Sequence, residues 1–419
     1  MKMQLTALAA AVSLALSSAA IAQTTVTSNS NLNYTSIGQP QGGGWGLDNT
    51  TTGMTIDNTE WTGFPPKRDG AFDTFQDELD NMDGSTAGPN ENLSTIDQTA
   101  TGTTGNQASV TQSGGSQNES NVTQNKLSST GSALKADVIQ IGNSNRSDVD
   151  QELSTGAIAN ISQQGDGNLS RVDQFGADRN GADVSQTGNG HQSIIHQGVV
   201  TGGAADNNAW VNQTGESNQS YIRQQWSDNY ADSAQSGMDN ISHIKQAGDV
   251  NMAMLDQSGD ENTSYILQGS AGVGDFNTAY VDQSGSYNDS YVSQLNGNDN
   301  EANVNQSGTY GESNVLQNGN SNFADISQSG EGDISWVIQN GDNKSATVEQ
   351  SGVGVPGAEF NESFIIQSGA GAHTAYVNQE HALSGDWNNI STITQTGTVN
   401  ASASVMQNGS GNRASTIQY

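Results

Sequence analysis

The sequence predicts an all-β solenoid of about 13 two-strand coils with stacked Asn and Gln ladders, preceded by a Gly-rich, partly disordered N-terminal segment. Three observations predict this fold. A short unit recurs along most of the chain, each unit alternates with a period of two, and turn residues separate the units. The stretch NMAMLDQSGDENTSYILQ, residues 251–268, contains two copies of the unit.

The repeat is defined by a Gln that ends each unit. From Gln98 to Gln418 this Gln occurs 27 times, and most of the spacings equal that between Gln257 and Gln268 or exceed it by one. A few spacings are longer, as after Gln350, and are predicted to contain loop insertions. A period this regular over about three-quarters of the chain indicates an array of stacked units.

Each unit is predicted to be a β-strand, because constant and variable positions alternate along it. The constant face carries Asn, a small residue, an aliphatic residue and Gln, and we expect it to be buried. A helix would need these residues at spacings of three and four, and a Gly-containing turn would interrupt it after almost every unit.

Two units make one coil, since seven strand residues are followed by a turn, and successive coils stack at about 4.8 Å. Asn and Gln side chains then face their counterparts one coil away and form hydrogen-bonded ladders. A buried amide without a partner costs about 1–3 kcal/mol, so the units must stack in register. The predicted ladder residues are Asn207, Gln213, Asn218, Gln224, Asn240, Gln246, Asn251, Gln257, Asn262, Gln268, Asn277, Gln283, Asn322, Gln328, Asn412 and Gln418.

Composition argues against several classes of protein. Only 32% of the 419 residues are apolar, 13% are charged and 50 are Gly, which is poor material for the core of an ordinary globular enzyme. The formal charge of -32 would repel nucleic acid and anionic membranes, so neither is an expected partner. The chain has no Cys, so disulfides and thiolate metal sites are excluded.

The N-terminus has the pattern of a secretory signal peptide over residues 1–22. Lys2 precedes an apolar stretch and a run of small residues, which predicts cleavage between Ala22 and Gln23. Residues 23–87 are rich in Gly, Asn and Thr and are predicted to be a targeting or capping segment. Within them Phe72, Phe75 and Leu79 have helical spacing, and a short helix covering the first coil would explain it. Residues 88–419 form the repeat array.

The array resembles the curlin repeats of curli, amyloid fibres secreted by Gram-negative bacteria. The resemblance lies in the recurring unit Asn-x-Ala/Ser-x-Val/Ile-x-Gln-x-Gly, in the opening GPNENLSTIDQ (residues 88–98) and in the final Gln418-Tyr419. It implies a major fibre subunit that is exported through the periplasm and an outer-membrane pore and forms a homopolymer at the cell surface. It also implies a minor nucleator subunit as partner. This chain has many more repeats than usual and a long segment before them.

No catalytic, cofactor or metal site is predicted. The five His are scattered: His191 and His373 occupy the Asn position of the unit, His196 and His243 face outward, and His381 lies in an insertion. The predicted function is therefore a self-assembling amyloid subunit of the biofilm matrix that mediates adhesion and aggregation.

Two alternatives remain open at this stage. One is a monomeric β-solenoid adhesin or other surface-binding protein, with outward aromatic residues as its adhesive stripe. The other is a polysaccharide-cleaving β-helix enzyme, which the shortage of Lys and Arg makes a poor fit. The last unit ends at Tyr419 without a proline or a charged tail, which predicts an open strand edge at the C-terminal end.

Overall fold

The computed structural model describes residues 22–28, 91–100, 105–126, 131–198, 204–269, 275–352, 361–381 and 388–419. The predicted signal peptide up to residue 21 and the predicted helix around Phe72 lie outside these ranges. The strands are β1 (Ala22–Ser28), β2 (Leu93–Ala100), β3 (Gln107–Ser113), β4 (Glu119–Lys126), β5 (Lys135–Ile141), β6 (Arg146–Glu152), β7 (Ile158–Gln164), β8 (Leu169–Phe175), β9 (Ala177–Asp178), β10 (Gly181–Asn189), β11 (Gln192–Gly198), β12 (Ala204–Ala205), β13 (Asn208–Glu216), β14 (Gln219–Gln225), β15 (Tyr230–Met238), β16 (Ile241–Ala247), β17 (Met252–Asp260), β18 (Thr263–Gln268), β19 (Thr278–Gln283), β20 (Asp289–Leu295), β21 (Glu301–Gln306), β22 (Glu312–Asn318), β23 (Phe323–Gln328), β24 (Ile334–Asn340), β25 (Ser345–Gly352), β26 (Asn361–Ser368), β27 (Thr374–His381), β28 (Asn389–Gln395), β29 (Ala401–Asn408) and β30 (Arg413–Gln418).

Two parallel sheets of 14 strands each face one another. Sheet A has the order β1-β29-β27-β25-β23-β21-β19-β17-β15-β13-β10-β7-β5-β3, and sheet B has the order β2-β4-β6-β8-β11-β14-β16-β18-β20-β22-β24-β26-β28-β30. Consecutive repeat units alternate between the sheets, so each strand pairs with the unit two places away. This is the predicted β-solenoid, and the prediction of about 13 two-strand coils is confirmed. The short strands β9 and β12 pair with each other outside the two large sheets.

The register is the one that the repeat requires. Between β17 and β19, for example, Ala253 lies beside Ala279 and Gln257 lies beside Gln283. A shift of one residue would move the whole apolar face to the surface, which is why the alternation fixes the pairing.

The two sheets use different small residues on their inner faces. Four residues before each ladder Gln, the strands of sheet A have Ala, as in Ala253, and most strands of sheet B have Ser, as in Ser264. Several of these buried Ser hydroxyls, including that of Ser264, make no hydrogen bond. The small side chains let the sheets approach closely. Next to them lie aliphatic residues such as Ile244 and Ile266, which are fully buried and contribute roughly 1.5–3 kcal/mol each before entropy is subtracted.

Tight turns join the strands. Gly237 and Gly259 have φ angles of 110° and 119°, a region that side chains with a Cβ rarely adopt. A Cβ on Gly237 would also lie 2.0 Å from the carbonyl oxygen of Gly259 in the next coil. Gly is therefore required at this turn position for two reasons: the positive φ angle and the close approach of the neighbouring coil.

The number of repeat strands is odd, and this makes the two ends of the solenoid different. The two sheets contain 28 strands; β1 precedes the array, so the other 27 are the repeat units. The strand β1 pairs in parallel with β29, with Val26 beside Val405 and Ser28 beside Gln407. It thereby completes the last coil opposite β30. At the other end, β2 and β3 form the first coil, and no described strand lies beyond either of them.

Candidate assembly interface

The inner Gln side chains form an unbroken ladder in each sheet. In the middle of sheet A the Nε2 of Gln257 donates to the Oε1 of Gln283 at 2.8 Å, and in sheet B the Nε2 of Gln246 donates to the Oε1 of Gln268 at 2.9 Å. The ladder of sheet A runs from Gln112 to Gln407. The ladder of sheet B runs from Gln98 to Gln418.

Each ladder Gln from Gln112 onward also ties one sheet to the other. The second hydrogen of Gln257 Nε2 bonds to the backbone oxygen of Ile241 in sheet B at 3.0 Å, and Gln268 Nε2 bonds to that of Met252 in sheet A at 2.8 Å. Each side-chain amide therefore donates one hydrogen bond along the solenoid axis, to the next Gln, and one across the core, to a backbone carbonyl of the other sheet. This explains why Gln, with two donors and an acceptor on a side chain of this length, stands at this position.

The Asn side chains form the ladder at the other end of each strand. The Oδ1 of Asn229 accepts from both the backbone N–H and the Nδ2 of Asn251, at 3.0 and 3.2 Å. The Oδ1 of Asn251 accepts the same two hydrogen bonds from Asn277, both at 3.1 Å. Gln amides donate toward the C-terminal end of the solenoid, whereas Asn amides donate toward the N-terminal end. The two kinds of ladder run in opposite directions.

The structure places the predicted ladder residues in these two kinds of ladder, and all of them are buried. They are Asn207, Gln213, Asn218, Gln224, Asn240, Gln246, Asn251, Gln257, Asn262, Gln268, Asn277, Gln283, Asn322, Gln328, Asn412 and Gln418. The predicted cleavage site is separate from them: Ala22 and Gln23 open β1 at the last coil.

Other residue types replace Asn at a few positions, and His191 imitates it closely. Its Nε2 faces the backbone oxygen of Thr187 at 3.2 Å, and its Nδ1 accepts from the backbone N–H of Asn218 at 3.3 Å. The neutral imidazole with hydrogen on Nε2 thus offers the same donor and acceptor as an Asn. Burial lowers the pKa of His191 and favours that neutral form. His373 also donates from Nε2, to Ser368, but its buried Nδ1 has no partner.

Two charged residues in Asn positions were not predicted. Lys344 is fully buried, and its Nζ donates to the carbonyl oxygens of Gly369 and Gly371 at 2.8 and 3.0 Å. Asp333 accepts from the backbone of Gly330 and from Asn361 Nδ2, at 3.0 and 2.9 Å. Burial nevertheless raises the pKa of Asp333 to about 6. Counting back six residues from each ladder Gln would have found both.

A comparison with protein families now adds the decisive observation. Residues 274–308, 297–330 and 319–352 each match the curlin associated repeat. Residues 274–352 therefore consist of curlin associated repeats. A comparison with curated proteins finds no match for the chain. The Gln ladders continue without a break on both sides of the matched residues, to Gln112 in one direction and Gln407 in the other within sheet A.

The first and last coils of the solenoid differ in how well their inner faces are covered. Ile96 in β2 occupies the aliphatic position of its unit and is 45% exposed, whereas Thr416 occupies the same position in β30 and is 4% exposed. Gln98 is also exposed, although Gln418 is buried. The inner face of β2 is therefore open, and that of β30 is covered.

Among the described residues, no three His, Cys, Asp or Glu side chains are placed to hold a metal ion. The described part of the chain also has no helix that is long and apolar enough to span a membrane. The features that stand out chemically are the ladders and the strand edges at which they end.

Proposed function

We propose that this protein is a secreted subunit that assembles into curli-type amyloid fibres by stacking its solenoids end to end. The observation that carries the proposal is the open inner face of the N-terminal coil, where Ile96 and the amide of Gln98 are exposed. An exposed strand edge next to an uncovered apolar face is a template for another chain.

The two ends have complementary hydrogen-bonding ability. Every Gln rung donates toward the C-terminal end, so each ladder begins at Gln98 or Gln112 with an acceptor oxygen and its last described bond is accepted by Gln407 or Gln418. A second copy placed head to tail would set β2 beside β30 and β3 beside β1. The backbone edges, the sheet B ladder and the inner aliphatic row would then continue from one copy to the next.

The finer features of the proposed function rest on the curlin repeats and on the sequence. They are cleavage between Ala22 and Gln23, export across the outer membrane, a separate nucleator subunit, and a role in adhesion and aggregation within a biofilm. Assembly should also depend on pH and salt, because each copy has a formal charge of -32. Repulsion between copies should make assembly slow at neutral pH and low salt, and faster near the pI of about 4.1.

The experiment uses residues 23–419 purified in denaturant. After removal of the denaturant, fibre growth is followed by light scattering and electron microscopy, and the product is examined by fibre diffraction. We expect fibres with a repeat of about 4.7–4.8 Å along the axis. A protein that folds but stays monomeric at high concentration and near pH 4 would contradict the proposal.

One observation favours the alternative of a monomeric, surface-binding solenoid. The strand β1 already occupies the edge of β29 within the same chain. A molecule that covers this edge with its own N-terminus is partly protected against addition of a second copy. Sedimentation of the refolded chain over a range of concentrations separates the two functions, since a monomeric adhesin would show no dependence on concentration.

A further inference from the structure

The outer face of sheet B carries a row of aromatic side chains in its middle strands. The rings of Tyr221, His243, Tyr265 and Tyr291 follow one another in β14, β16, β18 and β20, with centroids 4.6, 4.7 and 6.4 Å apart. Their side chains point away from the inner face that carries the ladders. We call these four residues the aromatic row.

Several outer residues of sheet B are buried, although their side chains point away from the core. Tyr221 is 7% exposed and Trp336 is 8% exposed. At equivalent outer positions of sheet A, Met254 is 38% and Tyr280 is 39% exposed. At these positions the outer face of sheet B is therefore more closely covered than that of sheet A.

Two cations lie beside the aromatic row in an otherwise acidic molecule. Arg223 and Lys245 are neighbours in the register of β14 and β16, and neither forms an ion pair with any described residue. Burial and the nearby Arg223 lower the pKa of Lys245. The equivalent region of sheet A has acids instead, among them Asp256 and Asp282. Sheet B therefore presents a basic and aromatic surface that fits an acidic and apolar ligand.

The connection between β1 and β2 is long enough to bring such a ligand to this surface. The strand β1 lies at the last coil and β2 at the first, so the segment between them joins opposite ends of the solenoid. This length is roughly 60 Å at about 4.8 Å per coil. The connecting segment, residues 29–92, could span that distance several times over if it were extended.

Residues 69–83, DGAFDTFQDELDNMD, have the complementary chemistry. They contain six acids and no base, together with Phe72, Phe75, Leu79 and Met82. We propose that residues 69–83 of the same chain dock on the outer face of sheet B, with their acids toward Arg223 and Lys245 and their apolar side chains on the aromatic row. The N-terminal segment is thus an intramolecular cover for one face of the solenoid, and the outer face of sheet A stays open.

Photocrosslinking of the full mature chain tests this directly. A benzophenone amino acid is placed at Tyr265 on sheet B or, as a matched control, at Tyr280 on sheet A, and an equal mixture of ¹⁴N- and ¹⁵N-labelled protein is irradiated. We expect Tyr265 to crosslink to a peptide from residues 69–83 with the same isotope label, and Tyr280 to give at least tenfold less of that product. Mixed-label products at Tyr265 would identify a second copy as the occupant. They would overturn the proposal, as would crosslinks only to other peptides or no crosslink.

A charge exchange tests the role of the two cations. The double substitution Arg223→Glu and Lys245→Glu should reduce the yield of the 69–83 crosslink at least tenfold. Adding Asp73→Lys and Asp77→Lys should restore it. The control pair Lys135→Glu and Arg413→Glu changes two exposed cations elsewhere and should leave the yield unchanged. A yield that is insensitive to the charge of residues 223 and 245, or equally sensitive in the control pair, would overturn the assignment. Both readouts are independent of fibre growth.

Discussion

The first and the last coil of the solenoid are built from the same repeat, yet they end differently. In β2 the inner residues Ile96 and Gln98 are exposed, whereas in β30 the equivalent Thr416 and Gln418 are buried. The sequence of the final unit predicts an open edge at the C-terminal end. Among the described strands β30 is the last of sheet B, as that prediction requires, whereas in sheet A β1 pairs with the edge of β29.

The strand β1 contributes to this difference. An odd number of units in two sheets leaves β30 without a partner from the repeat array, and β1 supplies that partner. The sequence of β1 matches the inner pattern in part. Val26 stands beside Val405, but Ser28 stands where the ladder would need another Gln. The strand β1 can therefore extend the backbone pairing of sheet A without extending its ladder.

The largest effect is expected from a charge on the open inner face. Ile96→Asp should stop the addition of a further copy at the N-terminal end, because stacking would bury an unpaired carboxylate. A cost of about 3 kcal/mol or more makes addition over a hundredfold less favourable. Folding should be little affected, since Ile96 is already half exposed. Single-fibre imaging measures growth at each end.

Thr95→Asp is the control for this substitution, since it adds the same charge to the outer face of the same strand. It should slow growth much less than Ile96→Asp. Equal inhibition by both variants would show that the negative charge, and not the inner face, is responsible.

A second prediction compares the interior of a ladder with its end. Gln257→Ala should destabilise the solenoid by about 1–3 kcal/mol, because it leaves Gln235 and a backbone oxygen in sheet B without their partner. Gln98→Ala at the exposed end should cost well under about 1 kcal/mol. Denaturant unfolding of the monomer measures both changes. Asp256→Ala, on the outer face beside Gln257, is the control; a loss equal to that of Gln257→Ala would contradict the assignment of faces.

A third prediction concerns a buried charge in the ladder. The pKa of Asp333 is about 6 in the fold, against 3.8 ordinarily, so the folded chain holds this proton more tightly. Its contribution to stability is greatest below pH 4 and is lost as the pH rises through 6. Asp333→Asn should therefore stabilise the chain at pH 7 by about 1–3 kcal/mol and by much less at pH 4.

Unfolding measured at both pH values tests the Asp333→Asn prediction. Asp342→Asn, which changes an exposed acid in a nearby turn, is the control. The same gain at pH 4 and pH 7 would show that the effect does not come from ionisation of Asp333.

The smallest effect is expected at β1. Val26→Pro removes a backbone donor from β1 and should weaken its pairing with β29. Overall stability should change by less than about 1 kcal/mol, since only one edge strand is lost. Hydrogen exchange should become at least tenfold faster in residues 401–407 and stay unchanged in residues 374–380. Unchanged exchange in both stretches would mean that β1 does not protect this edge.

Most of the fold could be predicted because the repeat specifies it locally. The spacing between Gln257 and Gln268 gives the unit, the alternation of polar and apolar residues gives the strand faces, and a stack of identical coils has a single satisfactory register. The alternation of Ala and Ser in successive units, as in Ala253 and Ser264, even marks which sheet a unit belongs to. Ala or Ser at this position could therefore assign each unit to its sheet from the sequence alone.

The unpredicted features depend on contacts between distant residues. Nothing in the local sequence of residues 22–28 indicates that they pair with residues 401–407. Lys344 could be placed in a ladder by counting, but the two carbonyl oxygens that bind its ammonium come from the next turn of the solenoid. Tyr221 is buried on the outer face and lies between the rings of His196 and His243 in the adjacent strands, whereas an outer strand position alone predicts exposure.

The opposed directions of the Gln and Asn ladders have an electrostatic consequence. A long row of aligned amides would build up partial charges of opposite sign at its two ends, as the peptide groups of a helix do. Here Gln246 and Gln268 point one way along the axis while Asn240 and Asn262 point the other way, so the side-chain dipoles largely offset each other. Parallel strands themselves have only small net dipoles. A stack of such solenoids can therefore lengthen without accumulating charge at its ends. Each added copy then experiences the same electrostatic field from the ladders, whatever the length of the stack.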